Sequence, residues 1–408
     1  MVDRGETRTG RAAVAALAGL CLAAIACGTR SSPPSGVDAS AGSDTTTKSD
    51  AAASADAAAS ADAATGSDAT TGNDAATPVP DAGSLDARGA LDAGPPCTPG
   101  ADGACVAACP VPLAPDLSII ANDEVLNFVA PAGLSIELAV LPADASISTP
   151  VFQPGSSLSL AGLSGLTRVL AQSPVAGCVP TPFNAVYDVR PTYAPAPPDP
   201  TTTAVAYDDL RIVNWASGVD SYLPGPGVSD PKWMMPSQAF GPAGTDTTAV
   251  VVLGNGGSIT LTFPFPITDG DSWDFAVYEN SFASDVYLEL GFVEVSSDGS
   301  HFARFDSAFQ SSVTPCGSCS GTAAEMGGLA GSYMVGYGTP FDLAALRNSS
   351  LVRDGSVDLT SIRYVRIVDI VGDGTTLDSF GRGIIDPITS GPTAGFDLDG
   401  IAVLNQRM

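Results

Sequence analysis

Positive charge is scarce in this chain, and histidine scarcer. Over 408 residues it carries 17 Lys and Arg against 44 Asp and Glu, a net charge of −27, and a single histidine, His301. No basic cluster is present to meet phosphates, which excludes nucleic acid as a partner, and the one-signed surplus favours solubility. His301 sits in "DGSHFARF", a hairpin-turn context, and no G-x-S-x-G elbow occurs anywhere, so a nucleophilic triad has no parts to assemble from. "GNGGS" at 254–258 lies between two strand-like runs and does not open a helix, which rules against a phosphate loop. Helical pattern is nearly missing as well: Phe341 to Asn348, opened by Thr339 and Pro340, is the segment read as a helical turn or two.

What the chain does have begins with an export signal. Arg4, Arg8 and Arg11 precede an uncharged run from Ala12 to Ala26, which ends in Ala24-Ile25-Ala26-Cys27-Gly28. A charged start, a short apolar stretch and a small-residue cleavage site are the parts of a secretory signal, and the run is shorter than the roughly 20 residues of a membrane-spanning helix. The ending resembles a bacterial lipobox, which implies removal of residues 1–26 and a lipid on Cys27 that would hold the chain to a membrane. The usual leucine is replaced by Ala24, and Gly28 is not the aspartate that retains lipoproteins at the inner membrane, so an outer-membrane or surface position is expected.

Residues 27–96 read as a tether. From Asp38 the aspartates recur every six residues through Asp74, then as Asp81, Asp86 and Asp92, among Ala, Ser, Thr and Gly. Such a segment has nothing large and apolar to bury, so it cannot offset the entropy of ordering, and its like charges extend it. Beyond Cys21 and Cys27 six cysteines remain: Cys97, Cys105, Cys109, Cys178, Cys316 and Cys319. An even number in an exported chain points to disulfides; proximity pairs Cys316 with Cys319 as a loop staple and leaves four within 97–178. The C-x-x-C spacing is also that of redox and zinc sites, which here lack a second pair.

Two folded segments follow, both all-β in pattern. Residues 97–190 hold short apolar runs (117–120, 134–140, 158–160 and 167–171) between Pro, Gly, Ser and Asp, the pattern of a small β-sandwich spacer. After a proline-rich linker, 191–204, residues 205–408 show strand-like runs at 249–253, 258–263, 273–279, 288–296, 361–371 and 396–404. β-branched and aromatic alternation between Gly, Pro and Asp turns predicts an antiparallel jelly-roll sandwich.

The stretches "VVVLGNGGSITLTF", "DFAVYENSF", "FVEVSSDGSHFARF", "LAGSYMVGYGTPFDLAAL", "IRYVRIVDIVGDG" and "GFDLDGIAVLN" together resemble a family of largely uncharacterised bacterial cell-surface proteins. Within them, the paired strands and the closing "FDLDGIAV" are similar to discoidin-type and carbohydrate-binding modules of the galactose-binding-like sandwich. The small spacer loosely resembles immunoglobulin-like surface modules. These resemblances imply a fold and a tendency to bind glycans or other surface components, and they leave the ligand open.

The carboxylates on apolar strand faces raise a separate question. Strand alternation puts Phe275, Val277 and Glu279 on one face, Val365, Ile367, Asp369 and Val371 on another, and Asp397, Asp399, Ile401 and Val403 on a third. A buried carboxylate needs a cation, an arginine or a proton. Calcium accepts six to eight oxygens and asks for no histidine or thiol. Glu279 and Asp399 are therefore the first candidate ligands, with Asp369, Asp397 and Asp386 behind them and Asp269, Asp271 and Asp373 as further oxygens nearby. The resemblance puts Asp399 where such modules hold calcium. Arg363, Arg366 and Arg382 are the competing arginine partners, and turn chemistry at the surface is the bland alternative. For a glycan, loop aromatics Trp215, Tyr222, Trp233, Tyr333 and Tyr337 are the stacking candidates, while Trp273 is expected in the core. The expected function is non-catalytic surface binding, with a ligand-free structural envelope protein as the alternative and a glycan hydrolase third.

Overall fold

The structure is a computed structural model. It describes residues 108–407 except 145–149, 282–286 and 389–390, together with the backbone of 98–99 and 105–106. The export signal, Cys27, the tether and Cys97 lie outside the described residues. The remainder is all-β, with short 3-10 turns and one four-residue helix, Ser350–Arg353.

Two antiparallel sheets face each other. One orders its strands Val205–Ala206, Tyr337–Phe341, Phe275–Glu279, Asp397–Val403 and Asn214–Trp215, with Val251–Val252 also pairing to Asp397–Val403. The other orders Gly218–Leu223, Ser258–Ile267, Ile362–Asp369, Gly291–Ser296 and Ala303–Arg304. Between them lies one apolar layer drawn from both: Phe275, Val277, Leu398, Ile401 and Val403 from the first sheet, and Leu261, Val293, Val295, Val365 and Ile367 from the second. Phe275 stacks on Phe341 with ring centroids 5.4 Å apart, and both meet Phe305. The opposite face of the first sheet is also covered, by Ala276, Tyr278, Ala402 and Leu404 under the 205 and 243 segments. This explains why 275–279 and 397–403 are buried at every position.

The closing strand departs from simple alternation. Tyr278 pairs with Gly400 but Glu279 pairs with Leu398, so one residue of the closing strand is bulged out of phase. Phe396 and Leu398 accordingly share the core with Ile401 and Val403, and the expectation that Asp397 and Asp399 would lie on that face is corrected. Pattern counting cannot see a bulge, because it shifts phase without changing composition. Thr339 and Pro340 likewise belong to a strand, not to a helix start; proline's fixed φ suits extended backbone too, and pairing of Pro340 with Ala276 decides. The 3-10 turn begins later, at Leu343–Leu346, capped by Asp342, whose Oδ1 accepts the Ala344 N–H at 2.9 Å.

A smaller sheet precedes these two, in the order Ile119–Ala121, Phe183–Arg190, Gly165–Gln172, Glu137–Pro142 and Gln153–Pro154. Its first pair is parallel and the rest antiparallel. Cys109 and Cys178 form a disulfide, as do Cys316 and Cys319. Polar contacts join the small sheet to the sandwich: Asn348 donates to Asp116 at 2.6 Å and to the Asn184 carbonyl, and Arg382 pairs with both Glu124 and Asp378. Tyr193 of the proline-rich segment is buried against Gly327 and donates to Glu124. Phe275 sits where the ring cluster ties strand to strand, so Phe275→Ala is expected to cost about 3–5 kcal/mol, read as a lowered urea midpoint with an unchanged slope.

Candidate functional site

The central strand Phe275–Glu279 has a carboxylate at each end. Asp274 precedes it and Glu279 closes it, roughly 17 Å apart at about 3.4 Å per residue. Each end gathers further acids.

At the first end, Asp269, Asp274 and Asp342 bring carboxylate oxygens within 4.8 Å of one another, a set that could hold a metal ion. Asp274 is fully buried and works as a clamp. Its Oδ1 accepts from the Gly270 N–H and the Asn405 side chain, and its Oδ2 accepts from the Leu343 N–H, all at 2.8–2.9 Å. Burial pushes its carboxyl up to about 7, against those hydrogen bonds. Asp269 takes the Arg347 guanidinium on Oδ2 at 2.7 Å, while its Oδ1 is buried without a partner. Arg347 thus supplies positive charge inside this group.

Beside this end is a pocket between the small sheet and the sandwich. Its walls include Trp273, Tyr193, Tyr333, Asp116, Asp306 and Asp342. Asp342 belongs to both pocket and triad. Trp273 is half-buried at the rim, not in the core, because the strand starts only at Phe275.

The second end holds Glu279, Glu289, Asp369, Asp386 and Asp397, all buried. Antiparallel pairing explains the gathering: the last residue of 275–279 and the first of 397–403 meet at one end of the first sheet. Asp369 closes its strand directly opposite Gly291 in the second sheet, two residues after Glu289. Asp369 clamps loops from both sides, accepting the Gly256 N–H at 2.7 Å and the Phe396 N–H at 2.6 Å. Gly395 makes that approach possible. Its φ is +77°, and an added Cβ would lie 2.7 Å from Asp369 Oδ1. Asp386 accepts the Leu290 N–H at 3.0 Å. Glu279 Oε2 accepts from the Ser281 N–H and hydroxyl, whereas its Oε1 has no partner; Asp397 Oδ1 has none either.

Burial raises the proton affinity of all five, and their mutual repulsion raises it further for Glu279, Glu289, Asp386 and Asp397. Asp397 is pushed up to about 8 and Asp369 to about 6. The arginines expected as partners are engaged elsewhere or exposed. Arg366 pairs with Glu294, Arg382 with Asp378 and Glu124, and Arg363 points to solvent. Asp399 stands apart from this group: its Oδ2 accepts the Gly244 N–H at 2.9 Å, which fixes the 244 segment.

The sequence-nominated aromatics do not converge. Tyr333 lines the pocket but is buried, with its hydroxyl 3.0 Å from that of Thr203. Tyr222 donates to the Val252 carbonyl at 2.6 Å, and Trp215 packs on Tyr278. Trp233 lies beside Lys232, and Tyr337 is half-buried in its strand. Sequence reasoning missed Asp274, Asp342 and Glu289. A signal existed for Glu289, a lone charge between Leu288 and Leu290 in an apolar run, and for Asp274, wedged between Trp273 and Phe275.

No protein-family profile matches the chain, and no curated protein matches it significantly.

Asp274 sets a pH dependence whose sign follows from linkage. Its native proton affinity exceeds that of an unfolded aspartate, so its contribution is full below about pH 4 and is lost as pH rises through about 7. In chelator, stability is expected to fall over that interval, and Asp274→Asn, with Asp342, Asp269 and Arg347 unchanged, to flatten it. Thermal unfolding from pH 4 to 8 checks this.

Proposed function

We propose that this is a lipid-anchored surface protein that displays a non-catalytic recognition module for a glycan or another surface component. In this reading a lipid on Cys27 and the aspartate-rich tether hold it to an outer membrane, an immunoglobulin-like module acts as spacer, and a jelly-roll sandwich of the discoidin or carbohydrate-binding type does the binding. Calcium is the ion we associate with the sandwich, since every candidate ligand is an oxygen.

The observation that carries the reading is the pocket beside Asp274. Trp273 and Tyr193 supply ring surface, while Asp116, Asp306 and Asp342 supply acceptors, and the two together are the chemistry of a polyhydroxylated ligand with apolar C–H faces and O–H donors. The acids there are held as clamps: Asp116 takes the Asn348 side chain and Asp342 the Ala344 N–H. Glycoside hydrolysis instead asks for two carboxyls about 5–9.5 Å apart, free to exchange protons with substrate.

The test is retention of the full chain on a glycan array and a polysaccharide panel. Saturable retention that falls at least about tenfold, equivalent to about 1.4 kcal/mol, in Trp273→Ala with unfolding unchanged is the expected result. Product release from the panel would replace the reading with a hydrolase. Failure to bind any glycan, with self-association in its place, would replace it with a structural envelope protein.

A further inference from the structure

We propose a calcium site between Glu279 and Asp397, at the end of the sandwich opposite the pocket. The inference rests on the calcium part of the reading above and is independent of the glycan part.

Two observations made separately converge there. The first is the pair of unsatisfied oxygens. Glu279 is 1% exposed and Asp397 8%, yet Oε1 of the former and Oδ1 of the latter have no hydrogen-bond partner. A carboxylate oxygen buried without a donor costs several kcal/mol in general, so such atoms persist where something positive completes them. The second is the surrounding charge. Asp397 acts electrostatically on Glu279, and both act on Glu289, as do Asp369 and Asp386. No lysine, arginine or histidine is among the groups that shift these five acids.

Division of labour within the group identifies the ligands. Asp369 uses both oxygens, and Asp386 one, on backbone N–H groups, so these two shape the loops. Glu279 and Asp397 each keep one oxygen free. The two come from adjacent strand ends, since Leu398, next to Asp397, is the ladder partner of Glu279. Asn280, following Glu279, donates to Asp397 and to the Thr247 carbonyl, which holds the two acids in a fixed relation. An all-oxygen set without thiol or imidazole selects a hard divalent cation. Calcium fits best because it takes its remaining ligands from carbonyls and water without strict geometry. The Asp269, Asp274 and Asp342 triad has less need of one, because Arg347 already sits on Asp269 and leaves a single orphan oxygen. Asp399, the early favourite, has its donor in Gly244.

The test uses the full chain, stripped with chelator, with calcium chloride titrated by calorimetry and unfolding followed by circular dichroism. Calcium should bind and raise the melting temperature, with affinity falling at least tenfold in Glu279→Gln and in Asp397→Asn and unchanged in Asp269→Asn. Terbium provides a second reading on a chain with both acids intact: Tyr287 senses the charges of Glu279, Glu289, Asp386 and Asp397, so Tyr287→Phe should dim tyrosine-sensitised emission at equal occupancy. Binding that survives both acid variants but is lost in Asp269→Asn would overturn this site and leave calcium at the other end. Undimmed emission would overturn the site as well. No uptake at millimolar calcium by the folded chain would overturn both the site and the calcium part of the reading, leaving the glycan array result untouched.

Discussion

Buried negative charge without a matching positive charge is the constraint on which this sandwich turns. Its central strand is apolar along its length and acidic at both ends, with Asp274 before Phe275 and Glu279 after Tyr278. An isolated carboxylate in a low-dielectric interior is costly enough that it must be neutralised, hydrogen-bonded or paired. The two ends meet that demand differently. At the Asp274 end, backbone N–H groups, Asn405 and the nearby Arg347 guanidinium share the charge. At the Glu279 end five acids gather with backbone donors on some of them and two oxygens left over.

The acids also organise the loops. Asp369, Asp386, Asp399 and Asp274 each accept N–H groups from segments distant in sequence, so the connections between strands are pinned at their roots to the sheet. Acceptance from several backbone donors is the usual way a buried carboxylate is retained, and its removal strands those donors. The small sheet is joined by the same logic, through Asp116 with Asn348 and Glu124 with Arg382 and Tyr193. The pocket that carries the functional proposal lies along that joint, where one wall comes from each side.

Much of the fold was legible because strands announce themselves by period. The runs at 258–263, 288–296 and 361–371 contain the observed strands, as does the stretch ending in Glu279. The alternating "FNAVYDVR" at 183–190, with Phe183, Ala185, Tyr187 and Val189 buried, carried the same signal and was passed over beside the prolines that follow it. Trp273 was misplaced into the core for the converse reason: it adjoins a strand, and only the pairing partners decide where the strand begins.

By itself the sequence determined the all-β class, the Cys316 to Cys319 staple and the presence of carboxylates on buried strand faces, since period, spacing and composition are local properties. Tertiary structure alone decided which acids meet. Glu279 joins Asp397 and not Asp399 because a bulge shifts the closing strand by one residue. Asp274 joins Asp342 because their strands are neighbours in the sheet and far apart in the chain. Register and strand order are long-range choices, settled by the total packing of two sheets, and no window of neighbouring residues encodes them.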